Sequence, residues 1–231
     1  MKISVCLAAY KGEKFIGEQV TSVLSQLPEN GELIISDDYP QGETRAAVLA
    51  AAGEDERIKY IDGPGKGVCA NFENALRASG GDVVFLCDQD DVWLPGKISS
   101  VISAIENGAD VVLHDAFVTD GGLNITENSF FESHSSKNGF LNNLVKNSFV
   151  GCCMAFTREA VNDCLPFPEN LPMHDWYIAL VALKKRRNVV FLPEQLIYYR
   201  RHENTFTGAK TGFMQKLRWR ARMAFLLLER K

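Results

Sequence analysis

The chain lacks an internal repeat, a low-complexity segment and any apolar run approaching the ~20 residues that a bilayer-crossing helix needs. No Gly-x-Gly-x-x-Gly follows the first strand candidate, so a dinucleotide-dependent oxidoreductase loses its usual signal. Gly67 follows Lys66 where a P-loop would carry Ser or Thr, which removes that reading of Gly63 to Gly67. Six cysteines occur without a Cys-x-x-Cys pair or a Cys/His metal spacing, and they read as reduced core residues. Met1-Lys2 leads straight into an apolar strand candidate with no small-residue cleavage pattern, so a cytoplasmic protein is expected. Positive charge is scarce in the body. Residues 210 to 231 hold seven of the 25 Lys/Arg and one of the 29 Asp/Glu, leaving 18 positive and 28 negative side chains before them. That balance disfavours nucleic acid as a partner.

What is present is a chain of 231 residues, 46% hydrophobic and 23% charged, enough for one sizeable α/β domain. Short apolar runs alternate with helical patterns, which points to βαβ units and a mostly parallel sheet. Strands are expected at Ile3 to Ala9, Leu33 to Ser36, Ile58 to Ile61, Val83 to Cys87 and Val111 to Leu113. Between them, helices are expected at Lys14 to Gln26, Glu43 to Ala52, Val68 to Ala78 and Pro95 to Glu106. Thr119 to Asn138 is polar and rich in Gly and Asn, and reads as a loop. Gly139 to Lys146 then reads as helix, Cys152 to Thr157 as strand, Asp175 to Lys185 as helix and Val189 to Leu192 as strand. Thr211 to Lys231 intersperses bulky apolar residues with Lys216, Arg218, Arg220 and Arg222. Such a basic amphipathic helix either lies on an anionic membrane surface or packs back on its domain. The expected organisation is one domain over residues 1–208 and a tail helix over 209–231.

The apolar run Val83 to Cys87 ends in Asp88-Gln89-Asp90-Asp91-Val92-Trp93. Carboxylates crowded at a strand end raise one another's pKa and destabilise the fold unless a cation or a shared proton offsets them. Oxygen-rich sites suit Mg²⁺ or Mn²⁺, whose remaining positions usually go to substrate phosphates. The cluster therefore points to chemistry on a phosphorylated small molecule. A phosphatase of the haloacid dehalogenase type also fits Asp88 to Val92, with Asp88 as phosphoryl-accepting nucleophile and Asp90 as acid/base. That motif normally follows a first strand, whereas three strand candidates precede it here. A non-catalytic nucleotide-sugar binder is the remaining alternative.

Five segments in order resemble the family 2 glycosyltransferases, inverting enzymes with the GT-A fold, and particularly the bacterial branch that includes rhamnosyltransferases. They are Ile3 to Gly12, Ile34 to Asp38, Gly63 to Phe72, the Asp88 to Trp93 cluster in the position of the family's DxD motif, and Met173 to Tyr177 taken with Tyr198 to Asn204. The resemblance implies an α/β, Rossmann-like sheet flanked by helices. It implies that Ala9 and Tyr10 meet the nucleotide, that Asp37 and Asp38 hydrogen-bond a pyrimidine base, and that Lys66 faces a diphosphate. Asp88 would sit near the ribose or sugar. Asp90 would bind Mn²⁺ or Mg²⁺, His202 would complete that site or touch the diphosphate, and Asp91 would stand behind them or contact the sugar. Arg200 or Arg201 would offset leaving-group charge, and Asp175 would be the general base. Trp93 would either stack on a sugar or be buried at the turn. Where the family usually continues Gly-Ser-x-Asp-x-Thr, this chain reads Tyr39-Pro40-Gln41-Gly42-Glu43-Thr44, which implies a different turn. The implied donor is a dTDP- or UDP-linked sugar. The implied acceptor is a saccharide or lipid-linked oligosaccharide of surface polysaccharide synthesis, at the inner face of the cell membrane.

Overall fold

The computed structural model describes residues 1–202 and 212–230, without the side chain of Phe213. Glu203 and Asn204 of the polar run, the expected boundary at 208/209, and Thr211 and Lys231 lie outside the described residues. The first half runs β1 (Ile3–Ala9), α1 (Ile16–Leu24), β2 (Glu32–Asp37), α2 (Thr44–Ala52), β3 (Ile58–Asp62), α3 (Val68–Ala78), β4 (Val83–Asp88), β5 (Val92–Trp93) and α4 (Lys97–Glu106). The second half adds β6 (Val111–Thr119), β7 (Ile125–Glu127), α5 (Phe130–His134), α6 (Phe140–Val145), a 3-10 turn at Gly151–Cys153 and β8 (Met154–Thr157). It ends with α7 (Arg158–Cys164), α8 (His174–Lys184), β9 (Val189–Arg200) and α9 (Phe213–Glu229).

The strands form one sheet in the order β3-β2-β1-β4-β8-β6-β9-β5, with β7 on β6. Strands β1 to β4 are parallel, as expected; β1, β2 and β4 are buried on both faces, which is why they read as apolar runs, while β3 at the sheet edge is only partly buried. The mostly parallel expectation gives way in the second half to a mixed sheet. Strand β8 is antiparallel to both β4 and β6, and β5 is antiparallel to β9, while β6 and β9 are parallel. β5 and β7 span only two and three residues, too short to leave a periodic signature. Strand β9 extends to Arg200, past Pro193, because register shifts against β6 accommodate the residue that cannot donate to the ladder.

Two consequences position a site. The parallel crossovers bring the carboxyl ends of the first strands to one edge, where Ala9 pairs with Asp37 and Ala8 with Asp88. On the other side Val92 pairs with Tyr198, so the chain around Asp90 meets the chain that leaves β9. The tail helix α9 packs back on α6 and α8, burying Met223, Leu226 and Leu227. It is pinned by Lys184 Nζ, which donates to the Leu227 carbonyl at 2.6 Å, and by an Arg230 guanidinium bond to Tyr177 Oη at 2.8 Å.

Candidate active site

The edge of β1 is built from interlocking backbone contacts. The Ala9 carbonyl accepts from the Asp38 N–H (2.9 Å) and from Asn71 Nδ2 (3.0 Å). Ala9 is buried, so it fixes the edge rather than presenting a free group there. The Gln89 side chain accepts from the Tyr10 N–H (2.9 Å) and donates to the Tyr10 carbonyl (3.1 Å). This makes the first turn and the acidic cluster one unit. Gly12 is required beside it, since a Cβ there would stand 2.2 Å from Gln89 Oε1. The Tyr10 ring remains exposed, edge-on to Tyr39 with centroids 5.9 Å apart, and Lys11 Nζ lies 4.8 Å from the Tyr39 centroid. The result is an open aromatic and cationic surface beside the β1 and β2 ends.

The paired acids after β2 differ from each other. Asp37 is fully buried, its Oδ1 accepting from the Tyr39 N–H (2.9 Å) and its Oδ2 from Tyr60 Oη (2.6 Å). It shapes the turn that replaces the family's usual sequence, and both of its oxygens are engaged within the fold. Asp38 is partly exposed and accepts from the Gly65 and Gly67 N–H groups, each at 2.9 Å. It thereby clamps the loop that carries Lys66, which is exposed at the N-terminal approach to α3.

The acidic cluster itself converges. His202 Nε2 lies 2.8 Å from Asp90 Oδ2, and both side chains are 18% exposed. Asp91 is buried, with Oδ1 accepting from the Arg200 backbone N–H at 2.9 Å and Oδ2 lacking a hydrogen-bond partner among the described residues. Ligand atoms of Asp88, Asp91 and Cys152 lie within 4.8 Å of one another. Burial raises the Asp88 carboxyl to about 7, with further pushes from Asp90 and then Asp175. The Asp91 carboxyl is likewise held well above the usual carboxylate range by burial and by its two acidic neighbours. The Cys152 thiol is pushed up, chiefly by its hydrogen bond with Cys153, so it offers no soft thiolate. The group of three therefore offers the Asp88 and Asp91 carboxylates, with Asp91 Oδ2 still unpartnered, and the Asp90–His202 pair stands apart from it as a second oxygen and imidazole donor set; both are of the kind that Mn²⁺ or Mg²⁺ takes.

Beneath the acids sits a residue that the sequence reading missed. Lys97, at the start of α4, is fully buried, and its Nζ donates to the Cys152 carbonyl at 2.7 Å while standing 4.2 Å from the Trp93 ring centroid. Its charge pulls down the Asp88 carboxyl, while burial lowers the pKa of its own ammonium against the opposing effect of the neighbouring cysteines and Asp91. A Pro-Gly-Lys helix opening reads as surface, and nothing in the spacing marks it as an internal counter-charge. Trp93 is 3% exposed and packs against Phe85, so it takes the buried option.

Asp175 stands in the first turn of α8, 5% exposed, with Oδ1 accepting from the Trp176 N–H at 2.6 Å. Burial raises its carboxyl to about 6, against the lowering effect of the Trp176 and Gly151 N–H groups. It stands near enough to Asp88 to raise that group in turn, so base candidate and acids share one electrostatic site. His174 beside it is buried and stacked on Phe72, with ring centroids 4.1 Å apart, and burial holds it neutral.

Arg200 is turned into the fold. Its guanidinium is buried over the Phe15 ring and donates to Glu18 Oε2 (2.5 Å) and to the Gly121 carbonyl (3.0 Å). The charge expected at a leaving group is used inside the fold, and the residue serves the site through its backbone N–H to Asp91.

A model of glycosyl transferase family 2 matches residues 4–165. Among curated relatives, the chain is 27% identical over 184 residues to the UDP-Glc:alpha-D-GlcNAc-diphosphoundecaprenol beta-1,3-glucosyltransferase WfgD of Escherichia coli, covering 79% of this chain and 70% of that protein. It is 23% identical over 230 residues to the dTDP-rhamnosyl transferase RfbG of Shigella flexneri, covering 91% and 76%. With the GalNAc(5)-diNAcBac-PP-undecaprenol beta-1,3-glucosyltransferase of Campylobacter jejuni the match is 26% identical over 123 residues, 52% of this chain and 40% of that protein. Among solved structures, S. aureus TarS 1-349 in complex with UDP-GlcNAc superposes with a TM-score of 0.75 at 20% identity, covering all of this chain and 68% of that one. The fold is thus of the same GT-A-like kind, and none of these likenesses supports the phosphatase alternative.

Proposed function

The chain belongs to glycosyl transferase family 2, and from that premise we propose that it moves a sugar from a dTDP- or UDP-linked donor to a hydroxyl of a saccharide or lipid-linked oligosaccharide, with inversion, in surface polysaccharide synthesis. The observation that carries this reading is the contact of Asp90 with His202 beside the Asp88 and Asp91 carboxylates, with the buried Asp175 close enough to act on Asp88. Residues 1–208 form the catalytic unit in this proposal.

Tyr10, Asp38 and Lys66 line the donor side: the ring offers a stacking surface, the carboxylate an acceptor for an imide N–H, and the ammonium a partner for phosphate. Asp88 faces the ribose or the sugar. Asp90 and His202 would hold Mn²⁺ or Mg²⁺, with Asp91 and Lys97 setting the field behind them. A divalent ion there stabilises negative charge that collects on a departing diphosphate. Asp175 takes the proton of the acceptor hydroxyl as that oxygen attacks the anomeric carbon. The bond to the diphosphate then breaks on the opposite face. A carboxylate raised towards neutral pH is better matched to this task than an ordinary one, while remaining ionised at pH 7.

Thermal shift against a panel of nucleotide sugars, with and without Mn²⁺, tests the reading. A donor at 100 times its Kd should stabilise by ~2.7 kcal/mol. The expected result is stabilisation by a UDP- or dTDP-sugar that depends on the cation and disappears in Asp90→Ala. No response to any pyrimidine nucleotide sugar would remove the proposal.

A further inference from the structure

Helix α9 has two apolar faces, and only one of them is covered. Met223, Leu226 and Leu227 are buried against the body. On the opposite side Met214, Leu217, Phe225 and Leu228 are 62%, 49%, 49% and 82% exposed. At 3.6 residues per turn these four fall within one outward stripe. Arg218 borders that stripe and Arg222 lies a little further round, with Glu229 between them, while Lys216 and Arg220 fall towards the side of Met223 and Leu227; none of the four cations belongs to an ion pair among the described residues. Arg220 and Arg222 each donate to a backbone carbonyl, of Val145 and Glu169, which orients them without neutralising them.

A second helix enlarges the surface. Leu141 and Val145 of α6, one turn apart, are 75% and 65% exposed. The Arg220 bond to the Val145 carbonyl (2.7 Å) sews the end of α6 to α9, so the two apolar faces adjoin. On its inner side α6 holds the site: the Asn143 carbonyl accepts from Trp176 Nε1 at 2.7 Å, and Trp176 follows Asp175.

We propose that the α6 and α9 surface docks on a phospholipid bilayer bearing anionic headgroups, which sets the Asp175 end of the site at the membrane interface. Charge complementarity selects this occupant. The exposed apolar side chains enter the headgroup boundary while Arg218 and Arg222 beside them meet lipid phosphates, the arrangement of an interfacial helix. A second copy of the chain would set these cations against one another. No helix among the described residues is long and apolar enough to cross a membrane, so the contact is peripheral. It extends the reading of a lipid-linked acceptor, but it is measured without donor or acceptor.

Co-sedimentation with phosphatidylglycerol/phosphatidylcholine vesicles at low and high salt tests it, with circular dichroism melts confirming that each variant folds. The full chain is expected to bind anionic vesicles, to release as salt rises, and to bind pure phosphatidylcholine at least tenfold more weakly. Phe225→Glu combined with Leu228→Glu should reduce binding at least tenfold, as should Leu141→Glu combined with Val145→Glu. Arg218→Gln should reduce it roughly fivefold, the effect of one cation at an anionic surface. Absence of binding to anionic vesicles at low salt, or unchanged binding by folded stripe variants, overturns the proposal. So does self-association through the stripe that Leu228→Glu abolishes while vesicles are ignored. Transfer to a water-soluble saccharide reads the chemistry separately, so a failed docking test leaves that reading standing.

Discussion

Asp90 Oδ2 and His202 Nε2 meet at 2.8 Å across 112 positions of sequence, so the two expected cation ligands are brought together by topology alone. β4 delivers the first from the parallel half of the sheet, and β9 delivers the second after running beside β6. If the pair holds a divalent ion, Asp90→Ala and His202→Ala should each weaken Mn²⁺-dependent donor binding at least tenfold, the usual scale for loss of a working ligand or its support. The double variant should be little worse than the poorer single one, because both remove the same ion. Calorimetry of Mn²⁺ and UDP binding reads this directly, and additive losses would separate the two residues.

Asp175→Asn should lower turnover by ~10²–10⁴ with donor affinity nearly unchanged, since general-base help is spent in the transition state. The pH profile has a definite sign. Burial raises this carboxyl to about 6, so acidification protonates the base and activity should fall below about pH 6 rather than below 4. Stability runs the other way. A folded-state pKa above the unfolded value contributes stability that is fully present below about pH 4 and lost as pH rises through about 6. Melting curves of the Asn variant against the wild type should therefore diverge in favour of the variant between pH 4 and 7.

Arg200→Met should act on stability before it acts on binding. It removes a buried guanidinium that holds Glu18 and the Gly121 carbonyl; Glu18 is left solvated, so the loss expected is about 1–2 kcal/mol, from the hydrogen bonds given up. Glu18 is 59% exposed, so Glu18→Gln should cost below about 1 kcal/mol. Urea melts of both variants check the ordering. A stable Arg200→Met protein with weakened donor binding would restore the leaving-group role that the sequence suggested.

Lys97→Met removes the fixed cation beneath the acids. With less positive charge near Asp88 and Asp91, the apoprotein should lose about 1–3 kcal/mol in chelator, the cost of unbalanced buried polar groups. The same change leaves a more negative field for a divalent ion. Added Mn²⁺ should therefore raise the melting temperature more in the variant than in the wild type, and equal shifts would dismiss Lys97 as a counter-charge.

The first half of the fold was legible because each element carried its own period. The runs at β1 and β4 and the amphipathic pattern of α3 needed no tertiary context, and their residues matched within one position. The second half was less so, since α5 and α7 are short and begin at side-chain caps, Ser129 accepting from the Glu132 N–H and Thr157 from the Ala160 N–H. In the site, the family pattern located the acids, His202 and Asp175. It could not separate Asp37 from Asp38, or a buried Arg200 from an available one, because burial and partner choice depend on what the distant chain packs there. Lys97 was illegible for the same reason: a lysine after Pro-Gly becomes a counter-charge only once Cys152 and Trp93 close over it.

The bulges of β9 against β6 give the far strand a tuning role. Leu192 pairs with His114 but Gln195 with Asp115 and Tyr198 with Phe117, so the strand gains residues on its neighbour before its phase is set for Arg200. A codon gained or lost ahead of Gln195 can be absorbed by adjusting a kink that already exists. The same change between Tyr198 and His202 would turn the imidazole to the opposite side of the sheet. Length variation among homologous chains should accordingly collect before Gln195 and be purged after it.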